Sequence, residues 1–198
     1  MNTHMNIRMK TSLTAIGAAA ALCGLLASTP ASSAQTFQLR SADIPADQVI
    51  PQTFAFNGFG CTGQNTSPAL SWSHPPAETK SFAVMVHDPD AVTGGAGFWH
   101  WAIVNLPAGT TGLARGAGMA DGRALPESAR QIATDFGTPG WGGPCPPTGD
   151  KPHRYTFTVY ALKVDKLDLP PTATASLSGF MVNANAIGKA SFTSTNGR

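Results

Sequence analysis

Between Phe136 and Pro152 the chain reads FGTPGWGGPCPPTGDKP, and ten of these seventeen residues are glycine or proline. Such a stretch forms neither a helix nor a central strand, because proline removes a backbone donor and fixes φ, while glycine weakens both elements. It runs without a break into HRYTFTVYAL, where Tyr155, Phe157, Val159 and Ala161 alternate as in a half-buried strand. A stiff loop poor in side chains thus delivers His153 and Tyr155 to the lip of a strand. Loops of this kind let a ligand approach the backbone closely, and they predict a small, preformed binding pocket.

The amino-terminal segment has a different character. Arg8 and Lys10 precede an uncharged run from Thr11 to Ala34, with an Ala/Leu-rich core from Leu13 to Leu26 and small residues at Ser32-Ser33-Ala34. A basic region, an apolar core and a small-residue site predict a secretory signal peptide over residues 1–34, cleaved after Ala34. The core is too short for a membrane span, which needs roughly 20 apolar residues. A lipoprotein site at Cys23 is disfavoured by the bulky Leu22 before it. Removal of this segment leaves one expected domain over residues 35–198, located in the periplasm or secreted, with no stable membrane insertion.

Arg8 and Lys10 are two of the 13 basic residues, so residues 35–198 carry 11 basic against all 11 acidic side chains. A neutral domain gives no support to nucleic-acid binding or to electrostatic attachment to a membrane. Its two cysteines, Cys61 and Cys145, sit in Gly-rich stretches, and an even count in an exported chain predicts a Cys61–Cys145 disulfide. No CxxC spacing suggests a metal site, and no cofactor is expected.

Strand-like segments dominate the domain: 37–41, 81–86, 99–106, 131–135, 155–164 and 190–195, separated by turns rich in proline and glycine. That spacing predicts a mainly β fold. One helix is expected over residues 174–187, with Leu177, Met181, Ala184 and Ile187 as its apolar face.

Three groups could carry chemistry. His87-Asp88-Pro89-Asp90 follows the apolar run 81–86, His100 lies within Phe98-Trp99-His100-Trp101, and His153 and Tyr155 end the Gly/Pro loop. Alternation places His153 and Tyr155 on one face, and puts His100 on the face opposite both Trp99 and Trp101. Asp88 sits at a strand end, so Asp88, His100, His153 and Tyr155 converge if their strands are neighbours. Each has a bland alternative: Asp88 and Asp90 as turn formers, the histidines as hydrogen-bonded strand residues, the aromatics as core.

Taken together, HDPDAVTGGAGFWHWAIVNLP and GWGGPCPPTGDKPHRYTFTVYAL, with NGFGCTGQNTSPALSW before them, resemble the phosphatidylethanolamine-binding protein (PEBP) family. The likeness is to its bacterial, Raf kinase inhibitor-like YbhB/YbcL-type branch and covers nearly all of residues 35–198 in order. The resemblance implies a large central antiparallel sheet flanked by a smaller sheet, a carboxy-terminal helix, and a pocket for phosphate-like or other anionic groups at one end. It implies that Asp88, His100, Pro146, Pro147, His153 and Tyr155 line that pocket, with Arg154 facing away as a structural residue. Two positions depart from the pattern: Val92 stands where proline is usual, and Trp141 where tyrosine or phenylalanine is common, which predicts a changed pocket rim.

The function so implied is binding of a small anionic or phosphorylated ligand, tighter as pH falls through about 6.5 and the imidazoles gain charge. One alternative is a hydrolase using Asp88, His100 and His153, although no GxSxG elbow or zinc motif is present. Another is an interaction module that inhibits an extracytoplasmic enzyme, with a protein partner.

Overall fold

The computed structural model describes residues 1, 3 and 35–198. The signal peptide expected over residues 1–34, its cleavage site and Cys23 lie outside the described residues. In chain order the elements are β1 (Gln38–Arg40), a 3-10 turn (Gln52–Phe54), β2 (Asn57–Gly58), β3 (Cys61–Thr62), β4 (Leu70–Ser73) and β5 (Ser81–Asp88). There follow β6 (Phe98–Pro107), β7 (Gly112–Leu113), β8 (Arg130–Gln131), β9 (His153–Leu162), α1 (Ala175–Asn185) and β10 (Ala186–Asn196).

A five-stranded antiparallel sheet in the order β10-β9-β5-β6-β8 forms the centre, with a three-stranded sheet β1-β4-β7 and the small β2-β3 hairpin beside it. The sequence SFAVMV does not alternate because β5 is covered on both faces. Phe82, Val84 and Val86 join Leu39, Leu70 and Trp72 of the smaller sheet in one core, while Ala83 and Met85 join Val182 of α1 in the other. A strand buried on both sides reads as a continuous apolar run. The mainly β fold, the flanking sheet and the helix near the carboxy-terminal end are therefore as expected. Strands β5, β6 and β9 lie within two residues of their expected bounds, whereas β10 begins four residues earlier than expected and the strand expected over 131–135 is only Arg130–Gln131.

The helix occurs where it was expected but presents a different face. Its buried residues are Ala175, Ser178, Gly179 and Val182, whereas Leu177 and Ile187, which belongs to β10, are exposed. Small side chains win because the helix lies close over the sheet: a Cβ on Gly179 would already touch Met85 and approach Trp99. Thr174 caps the first turn, its hydroxyl oxygen accepting from the Leu177 amide at 3.2 Å.

The alternation used for His100 also fails, for a reason that matters to the site. Val86 pairs with Trp101 and the next residue, His87, pairs with Trp99, so His100 is the unpaired residue of a β-bulge. A bulge turns successive side chains out of strict alternation. Trp101 packs in the core shared with the smaller sheet, and Trp99 packs on the opposite core. His100 does not oppose both tryptophans. It shares the side of Trp101, where its ring meets Tyr155 edge-on at 5.0 Å.

Candidate functional site

Because β9, β5 and β6 are consecutive neighbours in the sheet, His153, Asp88 and His100 come together at one end of it. All six residues expected to bind ligand, Asp88, His100, Pro146, Pro147, His153 and Tyr155, line a single cavity of about 210 Å³. Asp88, His100 and His153 are only 2, 4 and 5% exposed, so their polar atoms face the cavity and one another rather than bulk water.

Asp88 serves two purposes, one on each oxygen. Oδ1 accepts the amides of Asp90 at 2.9 Å and Ala91 at 3.1 Å, which is the turn-forming role. Oδ2 accepts His153 Nδ1–H at 2.8 Å and lies 4.0 Å from His100 Nε2. The second ring nitrogen of His153 lies 3.5 Å from Asp150 Oδ2. Tyr155 is kept as the neutral phenol, its ionisation pushed well up by burial first and then by the Asp88 charge beside it. Arg154 points the other way, held by Asp90 at 2.7 Å and 2.9 Å. That guanidinium holds the Asp90 carboxyl down to about 2.

His100 donates Nδ1–H to the Gly142 carbonyl oxygen at 2.6 Å. Its pKa is pushed down to about 4, chiefly by burial; the Gly142 bond and the Asp88 charge pull it up without prevailing. The expectation that both imidazoles charge near pH 6.5 therefore fails for His100. The unfolded chain binds a proton here below about 6.5 that the folded chain refuses until about 4, so the contribution of neutral His100 to stability is complete above pH 6.5 and drains away as pH falls toward 4. Its size is roughly 2–3 kcal/mol. Urea titrations of His100→Gln should show an acid-side loss of stability between pH 6.5 and 4 smaller than that of the wild type by that amount. Parallel pH profiles would refute the assignment.

The Gly/Pro loop forms one wall, though its glycines serve a different purpose from the expected one. A Cβ on Gly142 would collide with the Phe136 ring, and one on Gly143 with the Phe54 carbonyl oxygen. These glycines bring the loop close to the protein's own backbone, while prolines 146 and 147 face the cavity. The Cys61–Cys145 disulfide ties this wall to the β2-β3 hairpin. Arg198 bridges the same two loops, donating to the Pro146 oxygen at 2.5 Å and the Phe59 oxygen at 3.3 Å.

Four lining residues were not foreseen: Phe59, Phe98, Phe136 and Ala91. The three rings form an apolar collar in which Phe98 meets Phe136 edge-on at 4.9 Å and Phe59 stacks on Phe136 at 6.2 Å. Phe59 is 75% exposed and has φ of 52°, a left-handed backbone that costs a non-glycine residue about 1–2 kcal/mol. An aromatic residue set between Gly58 and Gly60 was the signal for it. Val92 does lie on the rim, 90% exposed. Trp141 does not: it is buried, donates Nε1–H to the Phe54 oxygen at 3.1 Å, and borders a neighbouring cavity instead. Among the described residues, no cluster of three or more His, Cys, Asp or Glu is placed to hold a metal ion, and no helix is long and apolar enough to cross a membrane.

Comparison with known proteins agrees with this architecture. The family model described as phosphatidylethanolamine-binding protein matches residues 40–196. The UPF0098 protein YbcL of Escherichia coli K12 is 49% identical over 165 residues, 83% of this chain and 90% of YbcL. YbhB of the same strain is 44% identical over 156 residues, 79% of this chain and 97% of YbhB. A Mycobacterium tuberculosis protein that carries the lipoprotein name LppC is 36% identical over 169 residues, 85% of this chain and 76% of that protein. The crystal structure of E. coli YbcL, described as a new member of the mammalian PEBP family, matches with a TM-score of 0.79 over 82% of this chain and 98% of that one, at 49% identity.

Proposed function

Since the chain belongs to the phosphatidylethanolamine-binding protein family, we propose that it is an exported binding protein whose Asp88–His100–His153–Tyr155 cavity holds a phosphate-like or other anionic group. The observation that carries this reading is the convergence of three adjacent strands on one buried cluster, walled by Pro146, Pro147 and an aromatic collar. Small, preformed, mostly apolar cavities with a few convergent polar groups are the usual form of a small-molecule site. The disulfide and the lipoprotein name of one relative support an extracytoplasmic location.

The hydrolase alternative loses one candidate: Cys145 is consumed in the disulfide and presents no thiolate nucleophile. Calorimetric titration with monomethyl phosphate tests the binding reading. One-to-one saturable binding is expected, weakened about tenfold or more in His153→Ala, the scale of one lost hydrogen bond to a charged group. An absence of saturable binding by any small anion would overturn it, and steady turnover of a chromogenic phosphate ester would favour the hydrolase.

A further inference from the structure

The polar inventory of the cavity constrains which anion can enter. His100 must carry its proton on Nδ1, because the Gly142 carbonyl at 2.6 Å can only accept. Nε2 of the neutral ring is then a lone pair, and it lies 4.0 Å from Asp88 Oδ2, too far for a hydrogen bond between them. Two acceptors on buried side chains thus sit side by side with no donor shared between them. The Pro146 and Pro147 wall adds none, since proline has no N–H. The polar side-chain donors lining the cavity are the Tyr155 hydroxyl, which the Asp88 carboxylate already engages, and, when its ring is protonated, His153 Nε2–H.

The surrounding charges do not change this balance. Asp90 is paired with Arg154, and the Asp135 carboxylate accepts the Trp99 amide at 2.7 Å. His87 is bonded to the Ala96 carbonyl at 3.0 Å. Asp150 adds a further acceptor 3.5 Å from His153. An oxyanion without a proton would present lone pairs to His100 Nε2, which has no donor of its own, and to the Asp88 charge, and setting acceptor against acceptor in a buried site is costly. A ligand that both donates and accepts suits the cavity: its hydroxyl meets the Asp88–His100 pair while its charged oxygens meet the donors.

Resting on the anion-binding reading above, we infer that the cavity selects an oxyacid retaining at least one proton, such as a hydrogen phosphate or a phosphate monoester monoanion, over oxyanions of equal charge that have none. Phosphate monoesters then serve as ligands through their P–OH. A phosphodiester, as in the headgroup of a phospholipid, has no such proton to offer.

Four probes of similar size separate the possibilities at pH 5.5, below the second ionisation of a phosphate monoester near ~6. Monomethyl phosphate and methyl sulfate then carry the same charge and nearly the same shape but differ in one P–OH. Dimethyl phosphate represents the diester, and methylammonium a donor without acceptors. Monomethyl phosphate is expected to bind at least ~30-fold more tightly than methyl sulfate or dimethyl phosphate. In Asp88→Asn, whose side-chain amide can donate where Oδ2 accepted, the advantage over methyl sulfate should shrink to within ~3-fold.

Equal affinities for monomethyl phosphate and methyl sulfate in the wild type would overturn the selectivity while leaving anion binding intact. Stronger binding of methylammonium than of monomethyl phosphate, or no binding of any anion, would overturn both. An undiminished preference in folded Asp88→Asn would remove Asp88 as the residue that reads the proton.

Discussion

Replacing Cys61 and Cys145 together by serine is expected to lower the unfolding free energy by about 3–5 kcal/mol. The two cysteines are 84 residues apart, and closing a loop of that length restricts the unfolded chain by about 4–5 kcal/mol on the chain-entropy model. The folded state should change less, because Arg198 still spans Pro146 and Phe59. Binding should weaken modestly as the wall loosens, while the strand-borne cluster stays in place. Urea unfolding of the double variant beside the wild type, with and without reductant, measures the effect. A loss below about 1 kcal/mol, or a wild type indifferent to reductant, would count against the bridge as a main restraint on the unfolded chain.

Asp88→Ala is expected to cost about 3–5 kcal/mol and to remove the preference for a protonated oxyacid. The carboxylate satisfies His153 Nδ1 and the amides of Asp90 and Ala91, and removing a buried charge that holds several donors leaves each of them unpaired. Asp88→Asn separates the two effects, since its side-chain oxygen can still accept both amides and preserve the turn. The alanine variant should therefore be the less stable of the two by roughly 1–2 kcal/mol. Thermal and urea unfolding of both variants checks the ranking. Equal stability would mean that the turn does not depend on Oδ1.

Much of the candidate site could be read in the sequence because its residues stand at recognisable places. Asp88 ends an apolar run, and His153 and Tyr155 follow a stretch too rich in proline and glycine to be anything but a loop. His100 was identified with its orientation relative to Trp101 reversed. Nothing in Phe98-Trp99-His100-Trp101 announces a bulge, because the extra residue is defined by the register with β5, a property of two strands.

The helix shows the same limit in another form. Periodicity selected Leu177, Met181 and Ala184. Met181 packs against the core in part, but Leu177 and Ala184 are exposed and the sheet accepts Ser178 and Gly179 instead, because the distance between layers decides which face fits. Gly142 and Gly143 were attributed to a ligand's approach when the approaching groups are Phe136 and the Phe54 carbonyl. Composition announces a close contact without saying with what. Phe59 and Phe136 were missed because an aromatic ring in a glycine-rich loop has no period to betray its direction.

The order of strands in the central sheet also governs how the chain reaches its folded state. Strand β9 occupies the middle of the site but comes late in the sequence: His153 meets Asp88 across 65 residues, and His100 meets Gly142 across 42. Contacts this distant require long loops to close before any burial rewards them, which places such topologies among the slower folders, in the millisecond-to-second range. A chain emerging amino-terminus first would carry Asp88 and His100 well before it had a cavity for them to line. The cavity is thus incomplete until β9 has joined the sheet, and on the proposed function, capture of monomethyl phosphate during refolding would serve as a clock for that single pairing event.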